Sequence, residues 1–527
     1  MKNKNNFWLG IILFLALGLR TFLIGQSPPS LYWEEAALGY DAYSILKTGR
    51  DYHGQPWPVV AFESFGDYKP SGYFYALVPF LAVFGLHDWV VRLPSILAGT
   101  ATVWLVFLIC RQMSRRSSWA LGSALTLAII PWHIQFSRAA FEVNLATFFL
   151  TLGVFCLLKA KDKAGYVIGA GLALVISMYT YHGLRMLAPL MALSLIGLNL
   201  KKFRHTKVLW LSVILAMVLS WPLIKAWNST SVQQRIRETS LLSTSPVVTM
   251  TNADRAEDGD NMVSHLIHHR YREWSQEILS GAVSHLNLNF LFVAGDGNPR
   301  HQSGWLALLY PWMMVPLIWG IYVLMSQSKQ PGKWLILWVL LATMPPALTN
   351  TTPHTLRFLP AAPAIAMIIG LGLAELSAWL KRLPGKHWWL GLVGLVIFGS
   401  VIVYVYDLYW VYPKRVSQAW QYGYKQVLAL IEPAFRQGRQ IYFTPIYGRP
   451  SIYGLFYWQV EPELIQRQAM NLRRDQGELL EFGSIDFSGR PPSPGSLIVS
   501  TRANEPYRLL NQVNFLDGQA AFYIYEN

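Results

Sequence analysis

Apolar residues in this chain fall into long uninterrupted runs that are separated by short polar segments, as far as residue 410. Most runs are roughly 17 to 23 residues long, the length that lets a helix cross about 30 Å of hydrocarbon. We therefore predict an α-helical polytopic membrane protein with about 11 transmembrane helices. The predicted spans are residues 7–25, 90–110, 117–131, 143–158, 165–181, 185–199, 208–224, 304–325, 334–349, 358–380 and 388–409.

Positive charge is concentrated in five of the short connecting loops. They are residues 111–116, 159–163, 201–207, 329–333 and 381–386. By the positive-inside rule these loops lie in the cytoplasm with the N-terminus, and an odd number of spans then places the C-terminus outside. Because no small-residue cleavage site follows the first run, we expect that run to be retained in a multi-pass protein of the plasma or inner membrane.

Two aromatic segments near the N-terminus do not fit a simple series of spans. Residues 72–86 are apolar but short, and a crossing there would reverse the side of every later loop. We expect them to form an interfacial or re-entrant helix on the outer face, next to the membrane. Residues 32–48 have helical spacing of their aromatic and small residues, which predicts an amphipathic helix on the outer surface.

The polar segments divide the chain into two predicted domains. Residues 1–410 form the transmembrane domain, with outer loops 26–89 and 225–303, and residues 411–527 form an extracytoplasmic soluble domain. In the second domain a helix-like pattern is followed by strand-like patterns, which indicates a small α/β fold. The helix is expected at 416–431 and the strands at 440–444, 497–500 and 521–525.

Composition agrees with this class and narrows the partners. Hydrophobic residues make up 53% of the chain and charged residues 14%, with a mean hydropathy of +0.28, which excludes a fold around one soluble core. The net charge of +15 lies mostly in the short loops, so we expect membrane lipid and no nucleic acid as a partner. Cys110 and Cys156 fall in or beside apolar runs and indicate no disulfide framework.

The predicted outer face carries cations on the side where few are expected. Three short outer turns each pair a His with an Arg, and further cations lie in the outer loops. These residues are His133 with Arg138, His182 with Arg185, His354 with Arg357, and Lys69, Arg92, Arg300 and His301. Each Arg alone could snorkel to headgroups or cap a helix. Their number on one side favours a shared anionic ligand such as a lipid phosphate.

Glu34 and Glu35 lie in the first turn of the predicted helix 32–48. Complementarity to the helix dipole would explain them at about 0.3–1 kcal/mol. Successive helical residues diverge by about 100°, so only one of the two can address a given atom while the other orients it. A carboxylate beside phosphate-binding cations can take a proton from a hydroxyl nucleophile. This combination predicts sugar transfer from a polyprenyl-phosphate donor, if these groups converge in one outer cavity.

The order of these motifs resembles the GT-C glycosyltransferases of family 39, which include protein O-mannosyltransferases and lipid A aminoarabinose transferases. The resemblance extends over roughly residues 7–380. It rests on the acidic pair after Trp33, a turn at 48–58, Lys69 followed by Pro70, "VVRLPSILAGT" at 90–100, "SRAAFEVN" at 137–144, "YHGLRMLAP" at 181–189 and "HTLRFLPAAP" at 354–363.

The resemblance implies an inverting, polyprenyl-phosphate-dependent transferase that works on the outer face. It makes Glu34 the base, Glu35 the second acid and Lys69 a ligand of the lipid phosphate, and Glu142 resembles the acid of the next outer turn. Glu34 stands where the family usually has Asp, so its carboxylate reaches further and Glu35 is a rival for the role. Ser71 stands where a second Pro is usual.

Two alternatives stay open from the sequence. His265, His268 and His269 have a spacing that could bind zinc, although a solvated helix face is the commoner reason for it, so no metal site is predicted and a divalent-metal cofactor is unsupported. A polyprenyl-lipid flippase would use the same cations but would need helices broken at mid-membrane depth. The sugar is not identified, and the acceptor could be a lipid, a protein or a surface glycan.

Overall fold

The computed structural model describes residues 2–114, 116–160, 163–198, 207–244, 246–326, 332–468, 474–475 and 477–527. The fold is mostly helical, with a small sheet near the C-terminus. Four of the five loops used to orient the chain lie partly outside the described residues. The affected positions are 115, 161–162, 201–206 and 329–331.

The first part of the chain is helical except for one hairpin. Its helices are α1 (Lys2–Thr21), α2 (Trp33–Thr48), α3 (Gly72–Phe84), α4 (Asp88–Met113), α5 (Ser117–Ile129), α6 (Pro131–Arg138), α7 (Glu142–Lys159), α8 (Tyr166–Thr180), α9 (Leu184–Gly197), α10 (Lys207–Lys225), α11 (Thr230–Thr239), α12 (Leu241–Thr244), α13 (Val247–Glu257), α14 (Met262–Ile267) and α15 (Arg270–Ser284). The hairpin pairs β1 (Ala61–Ser64) with β2 (Asp67–Pro70). Short 3₁₀ and π turns cover Ala226–Asn228 and Phe290–Ala294.

The second part adds further apolar helices and the sheet. Its helices are α16 (Met314–Ser326), α17 (Trp334–Ala347), α18 (Thr355–Phe358), α19 (Ala362–Leu380), α20 (Lys386–Tyr406), α21 (Tyr412–Arg415), α22 (Tyr424–Arg436), α23 (Pro450–Tyr457) and α24 (Pro462–Gln468). Its strands are β3 (Ile441–Phe443), β4 (Arg474–Asp475), β5 (Glu478–Leu479), β6 (Glu481–Phe482), β7 (Ile485–Asp486), β8 (Leu497–Ser500), β9 (Arg508–Asn514) and β10 (Ala520–Glu526). Short turns cover Pro311–Met313, Leu359–Ala361 and Asp407–Val411.

The chain folds into two compact units. The first consists of Met1–Leu19, Ala98–Phe136 and Glu142–Ile402, and the second of Arg20–Leu97, Ser137–Phe141 and Val403–Asn527. The C-terminal segment therefore belongs to the same unit as the first predicted outer loop. The division into two domains at residue 410 stays a prediction.

Among the described residues, five helical stretches are long and apolar enough to cross a membrane. They are Asp88–Met113, Glu142–Lys159, Lys207–Asn228, Thr355–Leu380 and His387–Arg415. Shorter apolar helices account for most of the other predicted spans, so the count of eleven crossings stays a prediction. One span begins later than predicted: residues 304–310 are not helical, because Gly304 has a left-handed backbone and Pro311 opens the helical segment.

The helices of the first unit pack closely through glycines. A Cβ added at Gly370 would overlap Ser123 on α5, and one added at Gly320 or Gly372 would overlap the backbone of the facing helix. Small residues let two helix backbones come into van der Waals contact, which is a common basis of association between transmembrane helices. The close packing of α19 against α5 and α16 therefore depends on glycine at these positions.

In the second unit, α2 is a largely buried helix. It packs between α3 and α23, and Ala36 to Ala42 are all buried. A Cβ at Gly39 would overlap Phe456. The helix predicted at 32–48 is thus confirmed, but most of it is buried against α3 and α23 instead of lying exposed on a surface.

The C-terminal segment forms the predicted small α/β fold. Its sheet has the order β6-β7-β3-β8-β10-β9, with β3 parallel to β7 and β8 and the other pairs antiparallel. The strands expected at 440–444, 497–500 and 521–525 correspond to β3, β8 and β10. The expected helix begins at Tyr424 instead of 416, because Gln421 and Gly423 have positive φ angles that interrupt a helix.

Candidate active site

The first acid of the pair forms an ion pair with the predicted phosphate ligand. Glu34 is the second residue of α2, and Lys69 lies on β2 opposite Phe62. The Lys69 ammonium contacts the Glu34 carboxylate, and the two side chains are 17% and 33% exposed, respectively. Both groups therefore remain partly accessible to solvent.

Glu35, one residue further, is buried and bound on both carboxylate oxygens. Arg92 donates to it through two parallel hydrogen bonds, from Nε to Oε1 and from Nη2 to Oε2, each 2.9 Å long. The Ala140 amide donates to Oε1 at 2.8 Å, and the Tyr32 amide to Oε2 at 3.2 Å, which caps α2. A carboxylate with this many charge-assisted and backbone donors is held in one orientation.

Arg92 uses its remaining N–H groups on backbone carbonyls. Nη1 donates to Ile24 and Pro28 at 2.9 and 3.1 Å, and Nη2 also donates to Ser30 at 2.6 Å. A guanidinium has five N–H donors, and these bonds together with the two to Glu35 engage all of them. In this structure the Arg92 guanidinium, only 2% exposed, is fully occupied by the protein.

Arg138 also binds the segment of chain that leads into α2. It donates to the Ser27 carbonyl from Nε at 3.1 Å and also from Nη2, and to the Phe22 carbonyl at 2.8 Å. Its guanidinium carbon lies 4.8 Å from the centre of the Tyr409 ring. Arg138 is fully buried, and burial lowers its pKa to about 10, so it remains charged at neutral pH.

The first unit gathers a different set of predicted residues. His182, Arg185 and Arg357 line a cavity of about 460 Å³ together with Trp227 and Thr349. Arg185 and Trp227 also line an apolar groove of about 430 Å³ between α8, α9 and α10. The Arg185 guanidinium thus lines both the groove and the cavity.

The two arginines of this cavity differ in how they are held. Arg357 donates from Nη1 to the hydroxyls of Thr349 and Thr351, at 2.5 and 2.9 Å. Arg185 donates from Nε to the Met178 carbonyl at 3.4 Å, and its buried Nη2 has no hydrogen-bond partner among the described residues. A buried donor without a partner costs free energy, which an anionic ligand would recover.

His301 and His354, two predicted donor ligands, lie beside an acid that the sequence analysis did not single out. Asp296 Oδ2 is 2.7 Å from His301 Nδ1 and 3.8 Å from His354 Nδ1, and it accepts the Thr355 amide at 2.9 Å. Burial disfavours ionisation, but the hydrogen bond and charge of His301 hold the pKa of Asp296 below its usual range. Burial and the charge of Arg357 lower the pKa of His354. The only sequence signal was the turn "GDGNPRH".

The other predicted residues have simpler surroundings. Arg300 is half-buried, and its carbonyl accepts from Gln135 at 3.0 Å, while Glu142 is the half-buried first residue of α7. The histidines of "HLIHHR" do not share a ligand: His265 pairs with Asp260, His268 with Asp258, and His269 accepts from the Tyr271 amide at the start of α15. This arrangement fits the solvated helix face rather than a zinc site.

Comparisons with known proteins identify the architecture. A crystal structure of ArnT from Cupriavidus metallidurans bound to undecaprenyl phosphate superposes with a TM-score of 0.53 at 11% identity, covering 98% of this chain and 96% of that one. The oligosaccharyltransferase of Archaeoglobus fulgidus, tethered to an acceptor peptide, gives 0.51 at 12% identity and covers 88% and 63%. The chain has the GT-C fold. The predicted fold class is thereby confirmed, and the chain is an integral membrane protein.

Sequence comparisons agree with the GT-C resemblance over a shorter stretch. Residues 68–225 match the family described as dolichyl-phosphate-mannose-protein mannosyltransferase. YkcB and YycA of Bacillus subtilis (strain 168), both provisionally named mannosyltransferases, are 30% and 28% identical over 148 and 159 residues. These matches cover 27% and 29% of this chain but only 20% and 23% of the relatives. The predicted resemblance to GT-C glycosyltransferases is confirmed.

The predicted site residues thus form separate groups. In the second unit, Glu34 meets Lys69, while Glu35 meets Arg92. In the first unit, Arg185 and Arg357 share a cavity. Their convergence in one outer cavity stays a prediction.

Proposed function

We propose that this GT-C protein transfers a sugar, with inversion, from a polyprenyl-phosphate donor to a hydroxyl acceptor on the outer face of the membrane. The observation that carries the proposal is the difference between two adjacent acids. Glu35 is held in a buried ion pair with Arg92, whereas Glu34 is a third exposed and pairs with Lys69. Glu34 is therefore the acid that can exchange a proton with a substrate.

The groove of the first unit supports a donor with a lipid tail. An isoprenoid chain is apolar and a phosphate is anionic, so a site for both needs an apolar channel that ends at cations. The 430 Å³ groove is lined mainly by apolar side chains and ends at Arg185, whose Nη2 has no partner among the described residues. The adjoining cavity adds Arg357 and His182. A phosphate can accept the planar donors of both guanidinium groups.

The ion pair between Glu34 and Lys69 suggests how the base becomes available. While Lys69 holds the Glu34 carboxylate, it stabilises the charged form and makes that carboxylate a weak base. An incoming donor phosphate would compete for the ammonium and free the carboxylate. The acceptor hydroxyl then gives its proton to Glu34 as its oxygen attacks the anomeric carbon. The bond from that carbon to the phosphate oxygen breaks, and polyprenyl phosphate leaves with its charge stabilised by Lys69.

Glu35, Arg92 and Arg138 take positioning roles in this proposal instead of substrate contacts. Arg92 and Arg138 bind backbone carbonyls between Phe22 and Ser30, the segment that leads into α2. They thereby fix the start of the helix that carries Glu34. A phosphate would have to displace several of these bonds to reach either guanidinium.

Mannose is the first sugar to test, because the matched family and the named relatives are mannosyltransferases. The acceptor class follows from the product. Purified protein in liposomes would receive polyprenyl-phosphate mannose with hydroxyl acceptors of three classes: lipid, peptide and glycan. Release of polyprenyl phosphate and mannosylation of one class are expected. Redistribution of the donor between leaflets without release of polyprenyl phosphate would reject the transferase and favour the flippase.

Glu34→Gln should lower turnover by at least about 10²–10⁴-fold, the usual contribution of a general base. Donor binding should be retained or become tighter, because the amide preserves shape and no longer competes with the donor phosphate for Lys69. Glu463→Gln is the matched control: Glu463 lies on the exposed face of α24, paired with Arg467. Turnover within a few-fold of wild type for Glu34→Gln would remove Glu34 from the mechanism.

A further inference from the structure

We propose that Asp296, His301 and His354 form a binding site for one divalent transition metal ion, for which Zn²⁺ is the best chemical match. All three belong to the first unit and lie at the end of the long loop after α15 and in the turn before α18. The proposal concerns binding alone and does not depend on the transfer reaction.

The spacing of the three side chains fits a metal ion. One ligand atom from each residue lies within 4.8 Å of the others. Ligands of a tetrahedral zinc ion, at about 2.0–2.1 Å from the metal, stand about 3.4 Å apart. The distances from Asp296 Oδ2 to the two imidazole Nδ1 atoms, 2.7 and 3.8 Å, lie on either side of that value. Small side-chain rotations would therefore bring the three atoms to coordination distance.

The surroundings hold these side chains in place. The Asn298 and Thr355 amides donate to the two oxygens of Asp296, at 3.1 and 2.9 Å. The His354 amide donates to His285 Nε2 at 3.0 Å, and His285 Nδ1 in turn lies 2.6 Å from the Gly281 carbonyl. The bonds to Asp296 orient its carboxylate as a ligand, and the His354 amide bond fixes the backbone that carries the imidazole.

One feature of His354 needs an explanation that a metal supplies. Its Nδ1 is buried and, among the described residues, makes no hydrogen bond. The carboxylate oxygen Asp296 Oδ2 is 3.8 Å away, which is beyond hydrogen-bond range. A metal between the two would satisfy the imidazole lone pair and the carboxylate together.

The donor set selects the class of ion. Two imidazoles and one carboxylate match Zn²⁺ and its transition-metal neighbours, whereas Mg²⁺ and Ca²⁺ prefer oxygen ligands alone. Three protein ligands leave a fourth position for water. The ion would join the loop at 296–301 to the turn at His354, three residues before Arg357, and so restrain the backbone that carries that arginine.

Metal content tests the site directly. The purified full-length protein would be stripped with chelator, dialysed against Zn²⁺, and assayed by elemental analysis and calorimetry. One Zn²⁺ per chain is expected, with Mg²⁺ failing to compete. Asp296→Asn and His354→Gln should each weaken Zn²⁺ binding by at least about 10–100-fold. His268→Gln is the matched control, because His268 pairs with Asp258 elsewhere in the first unit. Zinc content below 0.1 per chain in the wild type, or unchanged affinity in both variants, would overturn the proposal.

A variant that gains a spectroscopic signal separates loss of the metal site from misfolding. His354→Cys keeps a metal ligand, so Co²⁺ added to this variant should produce a thiolate-to-cobalt absorption band that the wild type lacks. The native Cys110 and Cys156 are buried and give no such band in the wild-type control. Absence of the band in a His354→Cys protein that elutes as the wild type does would also reject the site.

Discussion

At the scale of single residues, the adjacent glutamates show how burial separates two chemically identical groups. Glu34 and Glu35 share a helix turn and a charge, yet Glu35 is buried and bound by a guanidinium and two backbone amides, whereas Glu34 contacts Lys69 and is a third exposed. Both carboxylates form ion pairs with cations. The Glu34 pair is more exposed to solvent than the Glu35 pair, so a ligand can reach it more easily. The role proposed for each acid thus follows from its surroundings and not from its residue type.

The ion pair of Glu35 and Arg92 should be costly to break. Arg92→Met leaves a buried carboxylate uncompensated, which destabilises a protein by about 3–5 kcal/mol. Glu35→Gln/Arg92→Met should lose less than the sum of the single variants, because neither charge is then left alone. Thermal unfolding in detergent measures both. Arg436→Met, at an exposed pair with Glu432, is the control and should change stability by less than about 0.5 kcal/mol. Additive losses would contradict the coupling.

Asp51 makes stability depend on pH. Burial raises the pKa of the Asp51 carboxyl to about 6. Hydrogen bonds from backbone amides, including that of Gln55, lower the pKa but do not offset the effect of burial. The folded state therefore binds the proton more tightly than the unfolded chain, so stability falls as pH rises from about 4 to 6. Asp51→Asn removes this penalty, which is at most about 3 kcal/mol. The variant should melt higher than the wild type at pH 7.5, and this advantage should shrink to about a third at pH 4.5, where most of the folded-state carboxyl is already protonated. An advantage that is equal at both pH values would refute the assignment.

At the scale of elements, the sequence was enough to predict most helices but not which residues of different elements contact one another. Apolar runs and aromatic spacing predicted α2, α3 and the apolar helices, because local periodicity determines them. The hairpin β1–β2 was missed, since its four-residue strands are too short to show a pattern. Arg92, the partner of Glu35, lies 57 residues further along the chain. The sequence made Arg92 a ligand candidate only because it falls on the predicted outer face. Long-range pairing of this kind is decided by packing.

The glycine contacts between α5, α16 and α19 give a prediction at this scale. A Cβ at Gly372 would overlap the Pro316 carbonyl oxygen, so Gly372→Ala should force the helices apart at a cost of about 1–3 kcal/mol. Gly391→Ala, on α20 where no atom lies within 4 Å, should leave the melting temperature unchanged or slightly raised. Thermal melting of the two variants in one detergent compares them. Equal melting temperatures would show that close approach does not stabilise this contact.

At the scale of the whole molecule, the exposed apolar surface agrees with a membrane environment. Only 6% of the apolar window in His387–Arg415 is buried within the protein, and 17% of that in Lys207–Asn228. Helices so apolar and so exposed would be unstable in water, whereas lipid solvates them.

The orientation proposed for the active site can be tested without any substrate. If the C-terminal segment lies outside, Asn504→Cys in the loop before β9 should react with a membrane-impermeant maleimide in intact cells. Lys381→Cys, in the loop between α19 and α20, should react only after the membrane is permeabilised. Cys110 and Cys156 are buried and should contribute little background. Because both engineered sites are exposed, a reversed labelling pattern could not be explained by burial. It would place the C-terminal segment in the cytoplasm and contradict the orientation inferred from the charged loops.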